Sequence, residues 1–207
     1  MTRSAALTHL KRSDPLFYKA TAAHHTSLPE SLPEKRTCAA LFAALVSIVI
    51  SQQLGTAAAD AIFANVKKAC KGRITPESVL KTRLSVFRKA GLSGAKTKTL
   101  KSIAKAIAVG SLDLRSFKKI PAEDIFKKLT HIWGLGPWSV EMFMMNSLGH
   151  SDVFSPGDLG LARAMEAIYH LPKNAPRASL LAIAEKWSPY RTYASLLLWR
   201  FRDTTAG

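Results

Sequence analysis

Apolar residues recur along this chain at intervals of three and four. Leu41, Leu45, Ile48 and Val49 make one such face, and Ala57, Ala61, Ile62 and Val66 make a second after a break at Gly55. At 3.6 residues per turn that spacing gathers them on one side of a helix. The same period predicts helices over 13–23, 84–90, 95–109, 122–129, 137–148, 159–169, 177–187 and 189–201. Breakers fall between these stretches at Gly72, Gly91, Gly110, Pro121, Gly149, Pro172 and Pro176. The strict alternation of a half-buried strand is scarce, and no internal repeat or low-complexity tract is visible. The pattern therefore predicts an all-α fold. The apolar run 39–50 falls short of a bilayer span and leads directly into Ser51-Gln52-Gln53, so it reads as a core helix rather than a membrane segment.

The densest chemical signal is Leu129-Thr130-His131-Ile132-Trp133-Gly134-Leu135-Gly136-Pro137-Trp138-Ser139, followed by Asp152-Val153-Phe154-Ser155-Pro156-Gly157-Asp158. One helix is expected to end near Trp133. Gly134 and Gly136 permit the positive φ angles of a tight connection, and Pro137 suits the first turn of the next helix. Amides at that helix start face outward beside residues without side-chain bulk, an arrangement that suits a phosphate oxygen at the positive end of the helix dipole. Taken alone, a Gly-x-Gly between helices more often only connects them.

Charge narrows the partner. Thirty Lys and Arg stand against fourteen Asp and Glu, a net charge of +16 on 207 residues, which is a cationic field suited to a polyanion. Between residues 61 and 110 the basic residues are Lys67, Lys68, Lys71, Arg73, Lys81, Arg83, Arg88, Lys89, Lys96, Lys98, Lys101 and Lys105, with Glu77 the single acid. The aromatic face of an interfacial membrane helix is missing there, so DNA is the favoured partner and no membrane is expected. Cys38 and Cys70 are isolated, as expected of reduced thiols in a cytoplasmic protein. Residues 1–20 carry Arg3, Lys11, Arg12, Asp14 and Lys19 and do not read as a signal peptide.

The hairpin and the aspartate that follows it resemble the signature of the helix-hairpin-helix DNA glycosylase superfamily. The resemblance extends over most of the chain to the 3-methyladenine DNA glycosylase II family. Ile50-Ser51-Gln52-Gln53-Leu54-Gly55-Thr56-Ala57-Ala58 is similar to its segment that enters the minor groove. Gly91-Leu92-Ser93 with Lys96, and Trp187-Ser188-Pro189-Tyr190-Arg191-Thr192-Tyr193-Ala194 with Trp199, are similar to further family stretches. The resemblance implies a two-lobed helical glycosylase fold with the active-site cleft between the lobes. One lobe would comprise about 1–35 plus 150–207 and the other about 36–149, with the hairpin at 121–148. Residues 1–35 are too few for the extra β-rich domain of longer relatives, so the compact form is expected. Without four clustered cysteines the iron-sulfur cluster of the endonuclease III branch is excluded.

The resemblance also assigns roles. Asp158 would be catalytic; Trp138, Trp199 and Met142 would line the base pocket; Gln52, Gln53, Leu54, Gly134, Leu135, Gly136, Ser139 and Lys96 would bind DNA. Gln53 or Leu54 would fill the hole left by the extruded nucleotide. No cofactor is required. A Na or K ion on the carbonyls of Thr130, Ile132 and Leu135 is optional, because carbonyl ligands leave no side-chain trace. The partner would be double-stranded DNA containing alkylated bases, met by a monomer.

The chemistry follows from the residue types. Breaking an N-glycosidic bond puts positive charge on the sugar, and a fixed carboxylate stabilises it and orients water. Asp158 stands at a helix start, where its bland role is an N-cap; the two roles are compatible. Asp152 reads as a loop or packing residue. Relatives that also cut the strand place a lysine amine where this chain has Trp138, so a monofunctional hydrolase is expected. An alkylated purine such as 3-methyladenine or 7-methylguanine is cationic, and an indole face attracts it by roughly 0.5–2 kcal/mol. Trp199 and Met142 also fit plain core positions. His24, His25 and His131 have no metal-ligand companions. Two other readings stay open: a non-catalytic helix-hairpin-helix module that only holds DNA, and a glycosylase for deaminated or oxidised bases.

Overall fold

In the computed structural model, which describes residues 1–35 and 37–205, the helix predicted over 13–23 is the shorter α2 (Pro15–Ala20), and a helix that the pattern did not predict, α1 (Arg3–Ser13), precedes it. Asp14 divides them. Its backbone leaves the helical region, its Oδ1 accepts from Phe17 N, and Pro15 takes the first position of α2, where a missing N–H costs nothing. The remaining helices are α3 (Cys38–Ser51), α4 (Thr56–Ala69), α5 (Pro76–Lys81), α6 (Leu84–Lys89), α7 (Gly94–Ala108), α8 (Ala122–Thr130), α9 (Pro137–Ser147), α10 (Leu159–Ile168), α11 (Arg177–Ala184) and α12 (Arg191–Thr205). Among the described residues there is no strand, only an isolated antiparallel bridge between Glu34 and Leu148. The protein is all-α. No helix is long and apolar enough to cross a membrane among the described residues.

The chain divides into two compact units, Met1–Glu34 with Met144–Gly207, and Lys35–Phe143. In the second unit α3 supplies the centre. Leu41, Phe42, Leu45, Val46, Val49 and Ile50 are all buried along it, and Leu100 and Ile103 of α7 are buried likewise. Each such side chain contributes roughly 1.5–3 kcal/mol on leaving water, which is why the run 39–50 becomes an interior helix. Ser93 caps α7 through its side chain, and Thr75 with Ser78 forms a capping box at α5.

In the first unit Leu10, Phe17, Phe154, Leu161, Met165, Trp187, Tyr193, Leu197 and Leu198 form one core. A single buried acid organises it: Asp14 accepts from Tyr169 Oη at 2.6 Å and Trp187 Nε1 at 3.1 Å. Burial, reinforced by that carboxylate, pushes the Tyr169 hydroxyl far above its ordinary pKa, so it stays a donor. α10 packs on α12 here, and the start of α10 carries the carboxylate singled out from the sequence.

Candidate active site and nucleic-acid interface

Two groups of residues from the sequence stand out, one in each unit. In the second unit the hairpin runs from α8 into α9. α8 ends at Thr130, earlier than Trp133, and Ile132 N and Leu135 N then close successive turns on Leu129 O and Ile132 O. Pro137 opens α9 and the first bond of that helix runs from Val140 N to Gly136 O at 3.2 Å. The two glycines do different work. Gly134 has φ +86°, and a Cβ there would lie 1.9 Å from Thr99 Oγ1 of α7, so only glycine lets the turn close on that helix. Gly136 lies outside the left-handed region, contrary to the expectation, and a Cβ there would meet nothing within 4 Å. Its lack of a side chain leaves open space at the helix start rather than relieving backbone strain.

Three side chains expected at DNA make hydrogen bonds within the protein. Gln52 Nε2 donates to Gly134 O at 3.0 Å and to Ser139 Oγ at 2.8 Å, tying the end of α3 to both sides of the hairpin. Ser139 is buried. Lys96 Nζ donates to Ile50 O at 2.7 Å and Gln52 O at 2.8 Å, satisfying carbonyls that α3 leaves open at its C-terminus. Burial lowers the Lys96 pKa, as it does for an ammonium drawn out of water. Gln52, Ser139 and Lys96 thus tie the end of α3, α7 and the hairpin together. Gln53 and Leu54 are the exposed pair at the tip of the α3–α4 turn, Leu54 with 40% of its surface open and Gln53 at φ +56°.

Of the remaining hairpin residues, Leu135 and Met142 are buried and Trp138, one turn before Met142, is half-buried. Thr130, Ile132 and Leu135 all lie on the turn, with Ile132 O already accepting from Leu135 N. Carbonyl oxygens are neutral donors, the chemical type that a monovalent cation takes. Among the described residues no group of three His, Cys, Asp or Glu side chains could hold a metal. Trp133, which the sequence did not single out, is 49% exposed with Lys98 Nζ 4.2 Å over its ring; a basic stretch and a lone indole in sequence gave no sign of that pairing.

In the first unit Asp158 is the N-cap of α10. Its Oδ1 accepts from Leu161 N at 2.9 Å and from Trp199 Nε1 of α12 at 3.0 Å. Trp199 rests its ring on the core while its N–H holds the carboxylate. Gly160 makes room for Arg202: a Cβ there would lie 2.1 Å from Arg202 Nη1 and 3.1 Å from Asp158 Oδ1. A cation therefore borders the carboxylate, and nothing local in the sequence connects positions 158 and 202. Asp152 is elsewhere engaged, with Oδ1 on Arg191 Nε at 2.7 Å and Oδ2 on Ser188 Oγ at 2.9 Å. Burial pushes its carboxyl up, but the bonds from Arg191 and Ser188 outweigh this and hold it below its ordinary value. It is a packing residue.

Comparison with known proteins follows the same lines. Residues 46–189 match the family model described as HhH-GPD superfamily base excision DNA repair protein. DNA-3-methyladenine glycosylase 1 of Schizosaccharomyces pombe is 34% identical over 159 residues, 75% of this chain and 70% of that protein. The crystal structure of a DNA-3-methyladenine glycosidase from Bacillus halodurans superposes with a TM-score of 0.80 at 32% identity, over 97% of this chain and 90% of that one. The Schizosaccharomyces pombe 3-methyladenine DNA glycosylase Mag1, solved with abasic DNA, superposes with a TM-score of 0.86 at 31% identity, over 95% of each chain.

Proposed function

Since the chain belongs to the HhH-GPD superfamily of base excision DNA repair proteins, we propose that it is a DNA-3-methyladenine glycosylase that extrudes alkylated purines from double-stranded DNA and hydrolyses their N-glycosidic bonds without cutting the strand. The observation that carries this reading is the Asp158 carboxylate, fixed by the Leu161 amide and the Trp199 indole at a helix start. A carboxylate held in advance needs no reorganisation when positive charge develops on the sugar, and it orients the attacking water. A module that only grips DNA would use it as a helix cap alone.

The other residues supply binding. Open space at Gly136 lets a phosphate oxygen approach the start of α9, whose dipole favours the negative charge. The carbonyls of Thr130, Ile132 and Leu135 would hold a Na or K ion that adds positive charge beside a phosphate. Gln53 or Leu54 fills the gap left by the extruded nucleotide, offsetting part of the few kcal/mol that extrusion costs. Trp138 offers an indole face to a cationic base. An alkylated purine is already a good leaving group, so one carboxylate suffices. The protein acts as a monomer.

The test is a panel of duplexes bearing single defined lesions, with abasic sites revealed by alkali. Release of 3-methyladenine and 7-methylguanine, with no adduct trapped by borohydride, is the expected result. Release of uracil or 8-oxoguanine in their place would reassign the substrate. A trapped adduct would mean that a lysine forms a Schiff base and that the enzyme is also a lyase.

A further inference from the structure

α5, α6 and α7 enclose an open groove of about 870 Å³ whose lining includes none of the residues assigned to excision, although Lys98 in it also reaches over Trp133 of the hairpin. Its lining includes Leu80, Leu84, Arg88, Lys98, Lys101 and Lys105, four cations without a carboxylate. Leu84, with 58% of its surface open, is among the most exposed large apolar side chains among the described residues. Lys101 Nζ donates to Leu80 O at 3.2 Å, joining the groove's two walls.

The groove faces away from the turn that enters DNA. On α7, Lys96 reaches the carbonyls of Ile50 and Gln52 at that turn. Lys105 lies nine residues on, about two and a half turns at 3.6 residues per turn, and so projects from the opposite side of the helix. Lys101 falls on the same side as Lys105, one turn before it. A phosphate backbone requires donors and gains nothing from exposed leucines, whereas a floor of leucines rimmed by cations matches an amphipathic segment with apolar anchors and acidic flanks.

We propose that this groove is a docking site for an acidic amphipathic peptide segment of a partner protein, its apolar side chains on Leu80 and Leu84 and its carboxylates on Arg88, Lys101 and Lys105. Selection of displayed short random peptides against the full chain, with counter-selection against Lys101→Glu/Lys105→Glu, tests it. Enriched peptides should share apolar residues at helical spacing flanked by Asp or Glu. Measured by fluorescence anisotropy at physiological salt, they should lose about tenfold or more in affinity to Leu84→Ser and to Lys101→Glu/Lys105→Glu. Affinity for lesion-free duplex should stay within about twofold in both variants, since charges beyond roughly 8 Å are screened there. Both variants should retain the far-ultraviolet spectrum and excision rate of the parent. Failure to enrich any acidic peptide over the counter-selection overturns the proposal. So does loss of duplex affinity in the lysine variant with Leu84→Ser unaffected, which would assign the groove to DNA.

Discussion

Replacing Gly134 by alanine is the most direct probe of how the hairpin is held. The added Cβ would lie 1.9 Å from Thr99 Oγ1 and 2.9 Å from both Thr99 Cβ and Cγ2, where carbon atoms prefer about 3.5–4.0 Å. Rotating Thr99 does not relieve this. Its Cβ does not move, its side chain is buried, and its Oγ1 is committed to Ala95 O at 3.1 Å. The turn must therefore separate from α7, at an overpacking cost of roughly 1–3 kcal/mol. An alanine at φ +86° costs about 1–2 kcal/mol more. The sum, about 2–5 kcal/mol, is a large share of the ~5–15 kcal/mol that holds a domain folded. Urea denaturation should show the midpoint falling with the slope unchanged. Thr99→Ala removes Oγ1 and Cγ2, so in the double variant the two losses should fall short of their sum by about 1 kcal/mol or more. Gly134→Ala within about 0.5 kcal/mol of the parent, or strict additivity with Thr99→Ala, would refute the packing argument.

Asp158→Asn should keep the fold, because asparagine can still accept from Leu161 N and Trp199 Nε1. If the lost charge was worth roughly 3–5 kcal/mol, single-turnover excision slows by about two to four orders of magnitude; a rate within a few fold of the parent would remove Asp158 from the mechanism. Gln53→Ala and Leu54→Ala should be compared on duplex and single-stranded substrate, and the residue that fills the gap should show its loss on duplex alone. Equal losses on both substrates would give the turn a structural role. Lys96→Met should lower the denaturation midpoint, since two carbonyls lose their donor at a cost of about 1–3 kcal/mol. It should leave the salt dependence of DNA binding unchanged, and a flatter slope would mean that Lys96 meets phosphate after all.

The elements most legible in the sequence were those set by local pattern. α3, α7 and α10 follow apolar periodicity, the hairpin follows its glycines and Pro137, and Asp158 was recognisable as a cap from its place before an apolar helix. α1 was missed because Ala6 and Leu10 offer only a narrow apolar stripe among polar residues. α5 was missed although Thr75 and Pro76 carry a start signal, because a six-residue helix has too little period to register. The internal bonds of Gln52 and Lys96 were illegible for a different reason. Their partners lie 82 and 46 residues away, and such bonds exist only once α3, α7 and the hairpin have met. Arg202 beside Gly160 belongs to the same class. Residue type told which side chains could bind a phosphate, and tertiary packing decided which were already occupied.

The division of the chain also bears on the order in which it folds. Lys35–Phe143 is a continuous stretch, whereas the other unit joins Met1–Glu34 to Met144–Gly207. Phe17 packs at a tilt against Trp187 with ring centroids 4.8 Å apart, and Asp14 Oδ2 receives its donors from Tyr169 and Trp187. During synthesis the first segment emerges with its apolar face and its carboxylate ready but without their distant partners, Tyr169 and Trp187, and the middle of the chain can collapse before these arrive. An early core between the two ends then closes a single loop whose entropy cost grows only with the logarithm of its length. Ribosome-bound chains should thus hold a folded middle flanked by an N-terminal segment still in need of protection.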